Sequence, residues 1–453
     1  MIAEGKNPEA RSPAFRLATA AVVIALLAVT LLLLKGNKHK NEGREKVYFW
    51  HCWTGEWKEN VIDKIVTRFN NSQSRYQVIA LSIPFDSSEQ KFLLSVAGGK
   101  PPDCVALWGR TLSAWAEKGI IEPLNNFMTP EEWAHYQRDA YPVVLKVATY
   151  KGRLYGVPTN MNTYACYFNP KQLREAGLDP ARFPKTLEEL LDWGRKLTKT
   201  DVHGNLTRIG FLPAGLERYA PLFGGGFWDE TGQRVTINTP QNVRALTFLT
   251  DCWREFGVDR VVRFRSSLNT GGFSTEWPFI SGQESIALDG QWRVEQLARY
   301  APQLEYGTAP LPPPRGGTPD GCYGGVNRLI IPKDAANAAG AWAFIKFWSG
   351  IENPERAAEF YVAGGWLPTT TGIAETTAYQ QYLAKFPKFQ TFIHLLPENM
   401  EVPPPVPYQQ LVSDVLLHAE EFSERGLQTP QSALAEAQEK IDREVSRRQR
   451  LGL

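Results

Sequence analysis

The sequence predicts an α/β protein made of two doubly wound units behind an N-terminal transmembrane helix. Three observations predict it. Runs of β-branched and aromatic residues alternate with amphipathic stretches across short joints, and parallel strands need a crossover that a helix supplies. The chain has 453 residues, 43% of them hydrophobic and 22% charged, a globular composition long enough for two packed domains. The uncharged run 17–34, behind Lys6, Arg11 and Arg16, approaches the ~20 residues that cross a bilayer core.

The elements follow in order. Residues 17–34 end in four leucines and Lys35 with no small-x-small cleavage site, and no cysteine adjoins them to carry a lipid, so an uncleaved anchor is expected. The downstream flank (Lys35, Lys38, Lys40, Arg44, Lys46) is the more basic one, so charge alone leaves the orientation open. Residues 47–53 form a first strand. A helix follows with Trp57, Val61, Ile65 and Phe69 four apart on one face. Residues 76–83 are a second strand, and Ser87 with Gln90 makes a capping box for a helix that stops at Gly98 and Gly99. Residues 103–108 are a third strand and 111–118 a third helix. Residues 153–158 and 164–169 are two extended segments leading to a second unit, whose helices open at Asn169–Pro170 and at Thr186 with Glu189. A break at 311–317 precedes a strand over 326–332 and an alanine-rich helix over 335–348. The prolines of 403–407 make a rigid connector, and Thr429 with Pro430 opens the last helix.

Charge and motifs narrow the function. Residues 1–46 hold 8 basic and 4 acidic residues, which leaves 42 basic against 44 acidic ones in the body. A nearly neutral body excludes a nucleic-acid binder, which must neutralise several phosphates. Five cysteines (Cys52, Cys104, Cys166, Cys252, Cys322) form no C-x-x-C pair and read as small apolar filler. No two of the six histidines lie three or four apart, so no helical zinc motif exists and no metal or other cofactor is expected. There is no G-x-S-x-G elbow, Lys100 is followed by Pro101 rather than the Ser or Thr of a phosphate loop, and Gly224, Gly225 and Gly226 lack a dinucleotide fingerprint. No enzyme is expected, although distant carboxylates leave a polysaccharide hydrolase as an alternative.

The chemistry is in the aromatic residues. Of 14 tryptophans, Trp53, Trp108, Trp228, Trp277, Trp292 and Trp366 fall at strand ends and joints. An indole face covering ~100 Å² of sugar C–H surface contributes roughly 2 to 3 kcal/mol. Thr54, Glu56, Asp86, Arg110, Asn160, Asn162, Asp289 and Gln291 can bond hydroxyl groups beside them. His51 and Cys52 read as residues of a buried strand.

Three stretches carry a resemblance. YKGRLYGVPTNMNTYACYFNPKQLREAGLDPARFPKTLEELLDWGRKLT (150–198), SGQESIALDGQWRVEQL (281–297), and APLPPPRGG followed by GGVNRLIIPKDAANAAGAWAFIKFW are similar to segments of the extracellular solute-binding proteins of sugar-uptake ABC transporters, the class of maltose-binding protein. The resemblance runs in order from about residue 47 to the end. It implies a type II periplasmic-binding-protein fold, with lobe 1 over 47–160 plus 327–386 and lobe 2 over 161–326 plus 387–453. The crossings would fall near Asn160, Gly325 and Phe386. It places Trp108 and Arg110 after the third strand, Glu56 and Asp86 after the first two, Asn162 and Tyr164 at the first crossing, Gly324 and Asn327 at the second, Trp292 in the second lobe and Tyr408 after the proline cluster. The implied partners are a carbohydrate held by hinge closure, ABC permease subunits, and the membrane through residues 17–34, with the body on the extracytoplasmic side. A membrane-anchored carbohydrate sensor is the other reading.

Overall fold

The computed structural model describes residues 43–53, 56–109, 111–268, 277–396 and 400–452. The expected anchor over 17–34 lies outside them. No described helix is long and apolar enough to cross a membrane.

The elements framing the site are strand β1 (Glu45–His51), helix α1 (Glu56–Ser72), β2 (Tyr76–Ser82), α2 (Phe85–Ala97), β3 (Cys104–Trp108), α3 (Leu112–Glu117), α4 (Pro142–Ala148) and β4 (Val157–Phe168). There follow α5 (Pro170–Glu175), α6 (Leu187–Leu197), α7 (Pro240–Phe256), β5 (Ile286–Gly290), α8 (Trp292–Tyr300), β6 (Gly307–Ala309), β7 (Cys322–Ile330), α9 (Ala338–Ser349), β8 (Met400–Glu401), α11 and α12 being preceded by α10 (Thr377–Lys385), with α11 at Gln409–Glu424 and α12 at Pro430–Arg450.

The strands β2, β1 and β3 are parallel, with Glu45 opposite Tyr76 and Phe49 opposite Cys104, as the alternation of strand and helix predicts. The second unit corrects the expectation of another parallel sheet. β5 and β6 both pair antiparallel with β4, and β7 runs antiparallel to β4 and to β3. The cause is β4, a single 12-residue strand where two segments and a break were expected. Asn160 and Asn162, in the gap between the two expected segments, are both buried within the sheet, where side-chain hydrogen bonds satisfy part of their polarity.

Local signals mostly hold. Asn169 Oδ1 accepts from the Gln172 amide, Thr186 Oγ1 from the Glu189 amide, and Thr429 Oγ1 from the Ser432 amide. The box at Ser87 does not form: α2 begins two residues earlier behind Pro84, with no side-chain cap.

Two large cores result. The first packs Phe49, Ile65, Phe344 and Trp348 over the β1 sheet and continues to Tyr167, Phe279 and Phe392 on one face of β4. The second packs Leu173, Leu190, Tyr219, Leu246, Leu416 and Leu434, reaching Cys166 and Phe168 on the opposite face. A smaller cluster joins Phe92, Leu112 and Trp115 to β3 and β7. β4 and β7 thus pass from one half of the molecule to the other. Among the described residues the five cysteines form no disulfide, four of them being buried, and no three His, Cys, Asp or Glu side chains gather to hold a metal ion.

Candidate functional site

Where β4 and β7 pass between the cores, a cleft of about 240 Å³ opens. Its floor is Asn162 and Tyr164 from β4 and Tyr323, Gly324, Gly325 and Val326 from β7. One wall comes from Gly109, the start of α3 and Lys146 of α4; the other comes from Trp292, Pro403, Pro405 and Gln409.

The aromatic corner is built locally. Trp292 opens α8 directly after β5, and its ring meets Tyr164 edge-on at 5.8 Å and 85°. Gly290 permits this: a Cβ there would sit 2.1 Å from the indole Cζ3, so the ring lies against bare backbone. The Arg218 guanidinium stacks on the Tyr164 ring, 4.4 Å from its centroid. Gly324 serves a similar purpose on the floor, since a Cβ would fall 2.1 Å from Met400 Sδ and 2.5 Å from the Asn162 carbonyl.

A polar seam runs beside the rings. Asn160 Nδ2 donates to Asn162 Oδ1 at 3.2 Å, and Gln291 Nε2 donates to the same oxygen at 2.9 Å. Gln291 Oε1 accepts from the Thr163 amide, which locks the seam to the start of α8. Asn160 lies opposite Asn327 in the β4–β7 pairing, where the register slips. Both Oδ1 atoms are buried with no hydrogen-bond partner among the described residues, an arrangement that costs about 1 to 3 kcal/mol for each such group.

The charges of the cleft are organised. Arg328 is buried; its Nη1 donates to the Val147 carbonyl at 2.8 Å and its Nη2 to the Gly109 carbonyl at 2.6 Å. Burial pulls its guanidinium down to about 10, with Glu89 opposing. Lys146 Nζ pairs with Glu230 Oε1 at 2.5 Å. Burial raises the Glu401 carboxyl, Lys146 pulling it the other way. Tyr323 donates to Glu217 at 3.4 Å.

Of the residues expected at the site, Asn162, Tyr164, Trp292 and Gly324 line the cleft together. Asn160 and Asn327 sit one step away in the seam, and Tyr408 precedes the lining Gln409. Trp228 does not line the cleft; its Nε1 donates at 3.0 Å to Glu230, which pairs with the lining Lys146. Asp289 is committed to Arg293 Nε and the Gly290 amide, both at 2.7 Å. Four expectations need correction. Trp53, Trp277 and Trp366 are buried in the first core: Trp53 packs on Trp348 and Trp366, and Trp277 meets Tyr167 edge-on, so no face is left for a ligand. Asp86 is exposed in the first turn of α2 and does not line the cleft. Arg110 and the side chains of Glu56 and Trp108 lie outside the described residues, although the backbone of Trp108 pairs with Asn327. Lys146, Tyr323, Arg328, Pro403, Pro405 and Gln409 were not foreseen. For Arg328 a signal existed, a lone charge within the apolar strand VNRLIIP.

The comparisons with known proteins agree with this architecture. Salmonella typhimurium UgpB, an sn-glycerol-3-phosphate-binding periplasmic protein, is 25% identical over 362 residues, covering 75% of this chain and 77% of that one. The maltotriose-binding protein of Pyrococcus abyssi is 22% identical over 73% of this chain and 68% of its own length. Among solved structures, CpMnBP1 with mannotriose bound superposes with a TM-score of 0.76 at 24% identity, over 88% of this chain and 100% of that one. The sugar-binding protein MalE of Xanthomonas citri gives 0.68 at 22%, over 90% and 99%. These neighbours share the two-lobed α/β fold. The sequence model of the bacterial extracellular solute-binding proteins matches residues 55–353, about two thirds of the chain, and the protein belongs to that family.

Proposed function

We propose that this protein is the substrate-binding component of an ABC importer, taking a mono- or oligosaccharide into the cleft between lobes 47–160 plus 327–386 and 161–326 plus 387–453. The observation that carries this is the pairing of an aromatic corner, Trp292 on Tyr164, with the Asn160–Asn162–Gln291 seam. Rings grip C–H faces while amides select hydroxyl groups. The relative named for maltotriose and the neighbour holding mannotriose support the class of guest. A guest touching both lobes shifts the population toward closure by its differential affinity and needs no bond-making step. Micromolar binding corresponds to about −8 kcal/mol, within reach of two rings and several hydroxyl bonds after ordering costs.

A second reading has specific support. Lys146 and Arg328 put cationic side chains in the lining, and UgpB is named for glycerol 3-phosphate, so a phosphorylated polyol is the alternative guest. Residues 17–34 would hold the body on the extracytoplasmic side of the membrane, and a sensor built on the same fold would differ only in its membrane partner.

A thermal-shift screen of the full chain against neutral saccharides and sugar phosphates tests the reading, because a guest that binds only the folded state raises Tm with concentration. No shift from any member of either panel would refute it. New reducing ends in the saccharide incubations would favour a hydrolase instead.

A further inference from the structure

Among the described residues, two ion pairs join the proposed lobes directly. At the end of α3, Glu117 receives Arg448 from the last turn of α12. Their side chains are only 19% and 15% exposed. The pair is built on both sides: Tyr150 donates its hydroxyl to Glu117 at 3.0 Å and Lys151 Nζ stands 3.6 Å away, while Glu444 faces Arg448 at 3.9 Å. α3 belongs to the cluster of Phe92 and Trp115; α12 is fixed in the second core through Leu434, Ala437 and Ile441. The other pair is Lys146 with Glu230. Lys146 rides on α4, whose Val143, Val144 and Ala148 are in the first core; Glu230 follows Trp228, which packs on the second core and bonds the same carboxylate.

We infer that Glu117–Arg448 and Lys146–Glu230 are closure latches, positioning pairs that set how long the cleft stays shut around its guest. This rests on the two-lobed reading above. Each pair joins a residue of lobe 47–160 plus 327–386 to one of lobe 161–326 plus 387–453, so moving those lobes apart must break it, whereas a helix-internal pair such as Arg443–Glu439 would ride along unchanged. The Glu117–Arg448 pair is shielded, so its attraction is less screened than that of a surface pair. Breaking it on opening leaves Arg448 with Glu444 and Glu117 with Lys151. The latches act through lobe geometry: of the four residues, only Lys146 lines the cleft.

The test uses the full chain in small-angle X-ray scattering, with Glu117→Gln, Arg448→Gln and the double variant, at low and high salt. The radius of gyration rises in each single variant. The double variant rises no further, because both changes remove one bond. High salt moves the wild type in the same direction. Lys146→Gln gives an independent arm should either variant at the first pair fail to fold. With mannotriose or glycerol 3-phosphate, whichever shifts Tm, Arg448→Gln raises the dissociation rate about tenfold and leaves association within about twofold, a split that a merely stabilising residue would not give. Unchanged scattering in all folded variants, or additive effects of Glu117→Gln and Arg448→Gln, overturns the inference. Because the scattering arm needs no ligand, its failure is distinguishable from failure to find a saccharide.

Discussion

Replacing Trp292 by alanine isolates the aromatic grip on the guest. The indole is held on two sides, by the bare backbone at Gly290 and by the edge of Tyr164, so its remaining face can meet a sugar ring without rearrangement. Covering ~100 Å² of apolar surface at about 25 cal/mol per Å² gives about 2.5 kcal/mol, or roughly seventyfold in Kd. Isothermal titration with the saccharide that most raises Tm measures it. Trp366→Phe serves as the control: Trp366 is among the most deeply buried side chains and stacks on Trp348 at 5.8 Å, so that change lowers Tm and leaves Kd alone. A Trp292→Ala protein that binds within threefold of wild type would refute the assignment of the aromatic wall, since no other indole lines the cleft among the described residues.

Gly290→Ala tests the same corner from beneath: the new Cβ drives the indole off the backbone, and binding falls at least tenfold while far-UV circular dichroism stays native. Arg328→Lys keeps a charge but cannot reach the Val147 and Gly109 carbonyls together; a loss of about 1 to 3 kcal/mol in urea unfolding is expected, with weaker ligand binding. Acid sensitivity has a named source. Burial lowers the His51 imidazole from 6.5 to about 4, so the unfolded chain takes up its proton first; the stability is present above pH 6.5 and is lost as pH falls toward 4, by up to about 3 kcal/mol. His51→Leu flattens that part of the Tm–pH curve.

The alternation of strands and helices exposed the β1–α1–β2–α2–β3 unit because each signal there is local: a cap, a stripe, a glycine stop. The site was legible where it coincided with such a junction. Tyr164 and Trp292 stand out as aromatic residues beside strand ends, and the rest of the cleft depends on which face of a strand meets which neighbour. Trp53 shows the difference. Val47, Phe49, His51 and Trp53 alternate along one face, and all four are buried; the period of two assigned Trp53 to the core more firmly than its place at a strand end assigned it to a ligand. Lys146 had no comparable signal. It becomes a cleft residue only because α4 meets Glu230, 84 positions later, across the opening, and no pattern within α4 encodes that meeting.

The crossing strands explain why the unsatisfied groups sit where they do. β4 and β7 must join two cores, so their central residues cannot belong wholly to either, and apolar side chains there would seal the halves together. Asparagine at 160, 162 and 327 keeps the junction buried but polar. The register slip beside Asn327 loosens the ladder at the same point. The free Oδ1 atoms of Asn160 and Asn327 are therefore a cost of about 1 to 3 kcal/mol each, carried by the strands that would also have to flex. A hydroxyl-rich guest that offers donors to this seam recovers that cost only when both halves surround it, which couples recognition to closure through the same few side chains.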